Sequence, residues 1–247
     1  IDSEKLALLL RGGNFPTAYV YPAELRDTRD LLRRRCTIVR RRGATITHVQ
    51  MINHQQNLPA FEKSISYKSN RVGIADRFEG DSLQRMVSLD VDLIDFYDKQ
   101  IQQLDLYLEQ HAKLDDPDTF FRLQSIPGVG RILAMTMLYE IHTIKRFPTV
   151  GDFLSYSRLV KGTNSSAGKN YKPTGRKIGN PHLKWAFSEA ITLLKRECPQ
   201  AKAFAERIEK KHNKARANTL LAIKLGRAVY WMWKRKAAFD PNVFAKD

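Results

Sequence analysis

Residues 81–111, DSLQRMVSLDVDLIDFYDKQIQQLDLYLEQH, carry the clearest periodic pattern in the chain. Apolar residues recur there in alternating steps of three and four, with one polar exception at Asp90. The stripe consists of Val87, Asp90, Ile94, Tyr97, Ile101, Leu104 and Leu108. Such steps, sustained over three heptads, are typical of a coiled-coil helix. We therefore predict a long helix over 81–111 that packs its stripe against another helix.

A second long helix is predicted upstream, from Ala23 to about His48. Its apolar seam is formed by Leu25, Leu32, Cys36 and Val39. We expect the two helices to pair as an antiparallel coiled coil, either within one chain or between two chains. Residues 53–80 between them are polar with weak periodicity, and we interpret them as a connection with short helical pieces.

The upstream helix is also rich in arginine. Eight arginines lie between positions 26 and 42, and acidic residues four positions away from them are nearly absent. Planar guanidinium groups suit phosphate oxygens, so we predict contact with a nucleic-acid backbone. The residues assigned to that contact are Arg33, Arg34, Arg35, Arg40, Arg41 and Arg42. The alternative is a helix face that is simply solvated.

The charge of the whole chain points to a polyanionic partner. The 247 residues carry a net charge of +16, and both nucleic acid and an anionic membrane surface fit that charge. No apolar run reaches the roughly 20 residues that crossing a bilayer requires. The two cysteines and six histidines show no spacing typical of a zinc site. Sparse cysteine favours a reducing, cytoplasmic compartment.

A domain boundary is predicted at residues 115–118, DDPD, because proline and clustered acids end the preceding helix. Beyond it, two short amphipathic helices flank residues 126–130, IPGVG. The pattern resembles a helix-hairpin-helix, in which glycines let backbone N–H groups approach a phosphate. Contact with DNA is assigned to Gly128, Val129, Gly130 and Arg131. A plain turn without a function is the alternative.

The remaining C-terminal sequence is predicted to be helical, with few strand signals. Helices are expected over 147–160, 181–198, 201–212 and 218–239, the first of them with Thr149 as its N-cap. The large aromatic residues of the last helix, including Tyr230 and Trp233, are expected in the core, with stacking on bases as the alternative. The predicted fold class is therefore mainly α.

Residues 162–185, GTNSSAGKNYKPTGRKIGNPHLKW, place the adjacent Ser165 and Ser166 among basic residues. The spacing does not match a phosphate-binding P-loop, and the serines lack the G-x-S-x-G frame of hydrolases. Hydroxyl groups among cations suit contact with a phosphodiester, as nucleophile or as clamp. A solvated basic loop is the alternative. Because the loop supplies no base, a nucleophilic role would need help from elsewhere, such as a carboxylate-bound metal.

Residues 1–13 are predicted to be a helix that is already under way at the first residue and ends at Gly12–Gly13. We therefore expect the chain to be a fragment of something longer. On the residues alone, Asp2 is interpreted as an acid that stabilises the helix N-terminus through the helix dipole.

The C-terminal half is similar to a known family. The spaced elements IPGVG, LYEI, RF, FLSYSRLV, SSAGK, GRKIGNPHLKWAFSEA, KKH, LAIKLGRAVYWM and AFD resemble the C-terminal transposase domain of the insertion-sequence one-ten family, over about Phe120 to Phe244. The opening IDSEKLALLLRGGNFPTAYVYP resembles the junction between that family's DEDD (RuvC-like) domain and its coiled coil. The resemblance implies three domains: the end of an α/β RuvC-like domain over 1–22, a basic coiled-coil dimerisation region over 23–118, and the transposase domain over 119–247.

The resemblance implies a DNA recombinase that excises and inserts bacterial mobile elements. In this family, four acids of the RuvC-like domain bind magnesium, and a serine of the C-terminal domain bonds covalently to a DNA phosphate. Members act as dimers or tetramers, and many are guided by a structured non-coding RNA. We therefore expect DNA, a guide RNA and further copies of the chain as partners, in the bacterial cytoplasm.

The S-A-G-K motif makes Ser166 the expected nucleophile and Ser165 the fallback. Asp2 matches the last of the four acids and is expected to contribute to magnesium binding, whereas the other three acids are absent from this sequence. The DNA-binding residues expected near the serines are Lys169, Arg176, Lys177, Asn180 and Lys184. Because three acids are absent, the alternative is a catalytically incomplete remnant or regulator that only binds DNA or RNA.

Overall fold

The structure, a computed structural model, describes residues 2–15, 18–160, 164–166, 169–171 and 178–246, the two strands by their backbone alone. Helices α1 to α6 span Asp2–Arg11, Ala23–Gln55, Asp81–Asp115, Pro117–Gln124, Arg131–Ile141 and Val150–Tyr156. Helices α7 to α10 span Pro181–Glu197, Pro199–Lys211, Lys214–Arg235 and Pro241–Lys246. Two short antiparallel strands lie between α6 and α7: β1, Asn164–Ser166, and β2, Lys169–Tyr171. The predicted mainly α class is confirmed.

Helices α2 and α3 form an antiparallel pair within the chain. The polar side-chain pairs that cross between the two helices are Arg35–Asp105, Arg42–Asp98 and His48–Asp90. Because residue numbers rise along α2 as they fall along α3, the two helices run in opposite directions. The polar exception in the apolar stripe is also explained, since the Asp90 carboxylate lies 2.6 Å from Nδ1 of His48. Helix α2 continues to Gln55 instead of ending near His48, because Val49 and Ile52 extend its buried face.

Residues 56–80 connect α2 to α3 and pack against both helices at that end of the pair. They contain two 3-10 turns, Lys68–Asn70 and Ala75–Arg77, as the sequence predicted. The apolar side chains of this connection that are buried against α2 and α3 are Ile65, Ile74 and Phe78. The buried guanidinium of Arg71 donates hydrogen bonds to Asp95 and Asp98 on α3. The connection is therefore an integral part of the helix pair.

Helices α4 to α9 surround a shared apolar core. The largest fully buried aromatic side chains in it are Phe120, Tyr139, Phe153, Phe187 and Tyr230. The hydroxyl of Tyr230 donates to the carbonyl of Phe147 at 3.2 Å, so this residue belongs to the core. Helix α9 passes so close to α6 that a Cβ at Gly226 would lie 2.7 Å from Leu154 and Leu159. The same core continues into the α2–α3 pair through Leu32, Leu108 and Ala112.

Helix α9 begins and ends about four residues earlier than predicted, for local reasons. It begins at Lys214 because Asn213 caps it, with Oδ1 accepting a hydrogen bond from the N–H of Arg216 at 2.8 Å. It ends at Arg235 because Lys236 adopts the left-handed conformation, with φ of 53°. Thr149 caps α6 as predicted, in a reciprocal pair of hydrogen bonds with Asp152.

Helix α1 buries none of its side chains against the rest of the described chain. Four leucines stand exposed on it, namely Leu6, Leu8, Leu9 and Leu10. The carboxyl group that the sequence singled out, Asp2, lies in the first turn of this helix. Across the described ranges, no helix combines the length and the apolar character that crossing a bilayer demands.

Candidate nucleic-acid interface

The two serines lie in a short hairpin that the sequence did not predict. Strand β1 pairs with β2 so that Ser165 lies opposite Asn170 and Ser166 lies opposite Lys169. The backbone therefore puts Ser166 next to a lysine across the two strands, at the end of β1. The predicted DNA contacts at Arg176 and Lys177 lie outside the described residues, and so do the side chains of the two serines and of Lys169.

The two ends of this serine segment, residues 161–177, are joined at their base. The guanidinium of Arg158 donates from Nε to the carbonyls of Ile178 and Gly179, at 3.0 and 2.9 Å. Gly179 has φ of +91°, and a Cβ on it would lie 2.6 Å from the carbonyl oxygen of Tyr156. The backbone N–H of Asn180 donates to that same oxygen at 2.6 Å. The chain thus leaves and re-enters the helical core at one fixed place.

Asn180 connects this base to the rest of the core. Its Oδ1 accepts hydrogen bonds from the N–H groups of His182 and Leu183, which caps α7. Its Nδ2 donates to Oε2 of Glu140 at 2.7 Å. The side chain is only 5% exposed. The sequence assigned Asn180 to DNA contact, whereas in the structure both ends of its amide are engaged within the protein.

Glu140 is the residue that sequence reasoning missed. It is 2% exposed, near the end of α5, and its carboxylate receives two hydrogen bonds from Arg33, each of 2.7 Å. These hydrogen bonds raise the pKa of the Arg33 guanidinium. The sequence does contain a sign of this buried acid, since Glu140 is the only acidic residue in the apolar helix RILAMTMLYEI. The chain Arg33–Glu140–Asn180 ties the arginine-rich helix to the base of the serine segment.

The six arginines assigned to nucleic acid divide into two sets. Arg33, Arg35 and Arg42 form ion pairs within the protein, the last two with acids of α3. Arg34, Arg40 and Arg41 are exposed and form no ion pair with any residue that the structure describes. Acids on the same helix are nearly absent, as the sequence indicates, but the acidic partners of these three arginines lie on α3 and α5. Only the second set remains available for phosphate.

The segment predicted to be a helix-hairpin-helix forms the turn between α4 and α5, where its glycines have two different roles. Gly128 has φ of +82° and lies against the backbone of α7 at Leu193, where no Cβ could fit, so packing alone explains it. Gly130 precedes α5 and has open space around it, and no side chain caps that helix. The first N–H groups of α5 are therefore available to an anion. Val129 is buried, and the exposed Arg131 is paired with Glu109 at 2.8 Å.

The remaining predicted site residues are not brought together. Lys184 is exposed on the first turn of α7, whereas Asp2 is exposed on α1. In the ranges that the structure describes, no group of three or more acidic, histidine or cysteine side chains is arranged to hold a metal ion. Asp2 shares the first turn of α1 with a second acid, Glu4.

Comparison with known proteins adds one finding to this geometry. Residues 121–206 match the transposase IS116/IS110/IS902 family. The matched range runs from α4 into α8 and includes the serine hairpin, its base and Glu140. It lies within the part of the chain whose motifs resemble a transposase domain, and it supports a transposase of a mobile element as the functional class. No curated protein matches the chain.

Proposed function

We propose that the chain is the DNA-handling part of a transposase from a bacterial mobile element, with Ser166 as its nucleophile. The observation that carries the proposal is the family match across the serine hairpin. The fixed base of the serine segment adds support, because a nucleophile must be held in place relative to the strand it attacks.

The reaction proposed is a transesterification. The Ser166 hydroxyl oxygen bonds to the phosphorus of a DNA phosphodiester, and the bond from phosphorus to one strand oxygen breaks. The serine gives up its proton and the leaving strand oxygen takes one up as a free hydroxyl, so no net proton is gained or lost. Cations brought to the same phosphate, Lys169 across the hairpin and Lys184 on α7, would stabilise the charge that develops on it. Ser165 is the fallback nucleophile, because it neighbours Ser166 in the same strand.

Magnesium remains a prediction from the family resemblance. Among the described residues, Asp2 is exposed in the first turn of α1 together with Glu4, and no group of three or more acidic, histidine or cysteine side chains is arranged to hold an ion. Hard oxygen ligands from several carboxylates or substrate phosphates are what that ion requires. We assign no step of the transesterification to the metal.

DNA and a structured guide RNA are the proposed partners. The three exposed arginines of α2, the open N-terminus of α5 and Lys184 offer positive charge without an internal partner among the described residues. Contacts of this kind grip a phosphate backbone and carry no sequence information, so target choice would be left to base pairing with the RNA.

A second copy of the chain is also proposed as a partner. Helix α3 has a second apolar stripe on its exposed side, in steps of three and four: Met86, Leu89, Leu93 and Phe96. The spacing is that of a coiled-coil seam, and the stripe lies on the same helix as the seam already filled by α2. An identical stripe from another copy would cover it.

The test of the nucleophile is to trap the protein–DNA bond. The product of the complete open reading frame is incubated with end-labelled element DNA and magnesium, then denatured and run on a gel. We expect a labelled adduct that persists in Ser165→Ala and disappears in Ser166→Ala. An adduct that survives Ser166→Ala would overturn the assignment of the nucleophile. DNA binding without any adduct would favour the alternative, a binding protein that does not cut.

A further inference from the structure

Helix α9 lies entirely beyond the family match, which ends at residue 206, and has an unusual charge pattern. Its 22 residues, Lys214–Arg235, contain six basic residues and no Asp or Glu. An exposed helix in a globular protein ordinarily mixes both signs, because opposite charges four residues apart stabilise it. Five of the six basic residues, all but the buried Lys224, are exposed, and the repulsion between these five would be relieved by a bound polyanion.

Three of the exposed cations of α9 lie along one side of the helix. Arg216, Arg227 and Lys234 are separated by 11 and 7 residues, which returns each to nearly the same face of a helix with 3.6 residues per turn. All three are exposed, and none forms an ion pair with a residue that the structure describes. At 1.5 Å per residue the row is about 27 Å long, which is comparable to about eight nucleotides of a strand at 3.4 Å each.

An aromatic side chain lies within this row. Trp231 is four residues after Arg227, and its side chain is 38% exposed. The indole is held in position by the edge of Tyr230, with ring centroids 5.3 Å apart at 89°. Lys234 and Arg235 lie over the same indole at 5.5 and 4.9 Å. An exposed, pre-positioned indole among cations suits stacking on an unpaired base while the cations contact the flanking phosphates.

We propose that the outward face of α9, formed by Arg216, Arg227, Trp231, Lys234 and Arg235, is a second nucleic-acid surface that binds an unpaired strand. The proposal rests on the proposed function, in that a transposase exposes single strands when it opens DNA. An anionic membrane fits the face less well, because interfacial helices insert a broad apolar face and this row holds a single exposed aromatic residue.

The experiment measures binding of the 247-residue chain to a fluorescent oligonucleotide of about 20 nucleotides, as single strand and as duplex. The charge variant is Arg216→Glu/Arg227→Glu. Its matched control is Lys63→Glu/Lys99→Glu, which changes the net charge equally at exposed lysines of the helix-pair region. We expect the α9 variant to lose about tenfold in single-strand affinity and the control about threefold at most. The slope of log affinity against log salt should fall by about 1.4 in the α9 variant, since each lost phosphate contact removes about 0.7.

Stacking is tested separately with Trp231. Trp231→Ala should weaken single-strand binding about fivefold or more and leave duplex binding within about twofold, whereas Trp231→Phe should retain most of the single-strand affinity. Unchanged circular-dichroism melting curves confirm that these exposed substitutions leave the fold intact. Equal losses for strand and duplex in Trp231→Ala would overturn the assignment to an unpaired strand.

Three outcomes separate this inference from the proposed function. If the wild type binds and the α9 variant loses no more than its control, the inference is wrong and the proposed function stands. If the wild type binds neither oligonucleotide, the proposed function itself fails. If the wild type instead binds vesicles containing phosphatidylserine, and the α9 variant does not, the face is a membrane surface and the inference is wrong.

Discussion

The α2–α3 helix pair and the C-terminal helices are stabilised in different ways. The helix pair combines an apolar seam with ion pairs between arginines and α3 carboxylates, including those of Arg35 and Arg42. The C-terminal core is apolar and, among the described residues, encloses a single buried acid, Glu140. The arginines of α2 therefore have distinct roles. Some stabilise the interface between helices, and others, one position away, remain exposed to solvent.

The two regions meet at the ion pair of Arg33 with Glu140, and breaking it should have the largest effect. Arg33→Met would leave a buried carboxylate with only the Asn180 amide as a partner. Loss of one partner from a buried ion pair costs about 3–5 kcal/mol, so we expect the free energy of unfolding to fall by about that amount. Urea denaturation followed by circular dichroism measures it.

The neighbouring Arg34 provides the matched control for this prediction. Arg34 is exposed and has no ion pair within the described ranges, so Arg34→Met should change the free energy of unfolding by less than about 0.5 kcal/mol. Equal effects of the two substitutions would contradict the division of the arginines. Arg34→Met should nevertheless weaken nucleic-acid binding, and Arg33→Met should not do so once the fraction unfolded is taken into account.

We expect the helix pair, unlike the C-terminal helices, to associate with another copy of the chain through the exposed stripe of α3. Leu93→Glu/Phe96→Glu places two charges within the proposed seam. Burial of one such side chain is worth about 1.5–3 kcal/mol, so the dimer dissociation constant should rise by about thirtyfold or more. Sedimentation velocity over a range of concentrations measures this change. Val72→Glu, at an exposed apolar residue outside the stripe, is the control and should leave association unchanged.

Two glycines, one from each region, should respond oppositely to alanine. Gly179→Ala forces φ of +91° on a residue with a Cβ and brings that Cβ to 2.6 Å from the Tyr156 carbonyl oxygen. We expect a loss of about 1–3 kcal/mol in unfolding free energy. Gly43 lies inside α2 with open space where an added methyl group would lie, so Gly43→Ala should stabilise by about 0.5–1 kcal/mol. A thermal melt of Gly179→Ala that does not shift to lower temperature would argue against a tightly packed base of the serine segment.

The sequence predicted the helix pair well because a heptad stripe is a local pattern that specifies its own partner face. It predicted Thr149 as a cap for the same reason, since the capping residues are adjacent in the chain. It could not identify the partners of the α2 arginines, because Asp105 and Glu140 lie 70 and 107 positions away from them. The roles of Asn180 and Gly128 were also hidden, because each depends on contacts with a distant helix.

The smallest expected effect concerns the pH dependence of the helix pair. Burial opposes ionisation of Asp98, but hydrogen bonds from Arg42 and Arg71 outweigh it and lower the pKa of that carboxyl. A folded-state pKa below the unfolded value of about 3.9 means that the stabilisation is complete above that pH and is lost as the pH falls further. Because the Asp98 side chain is 35% exposed, we expect its contribution to be about 1 kcal/mol at most.

Asp98→Asn should therefore lower the free energy of unfolding at pH 7 and approach the wild type as the pH falls below about 3.9. Arg71 keeps Asp95 as a partner in this variant, so no buried guanidinium is left unpaired. Asp118→Asn is the control, because that carboxyl is 80% exposed in its pair with Arg122 and should contribute almost nothing at any pH. If urea titrations gave the two variants the same pH profile, the ion pairs of the α2–α3 interface would contribute no more to the free energy of unfolding than those on the surface. The helix pair would then differ from the apolar C-terminal core only in how its seam packs.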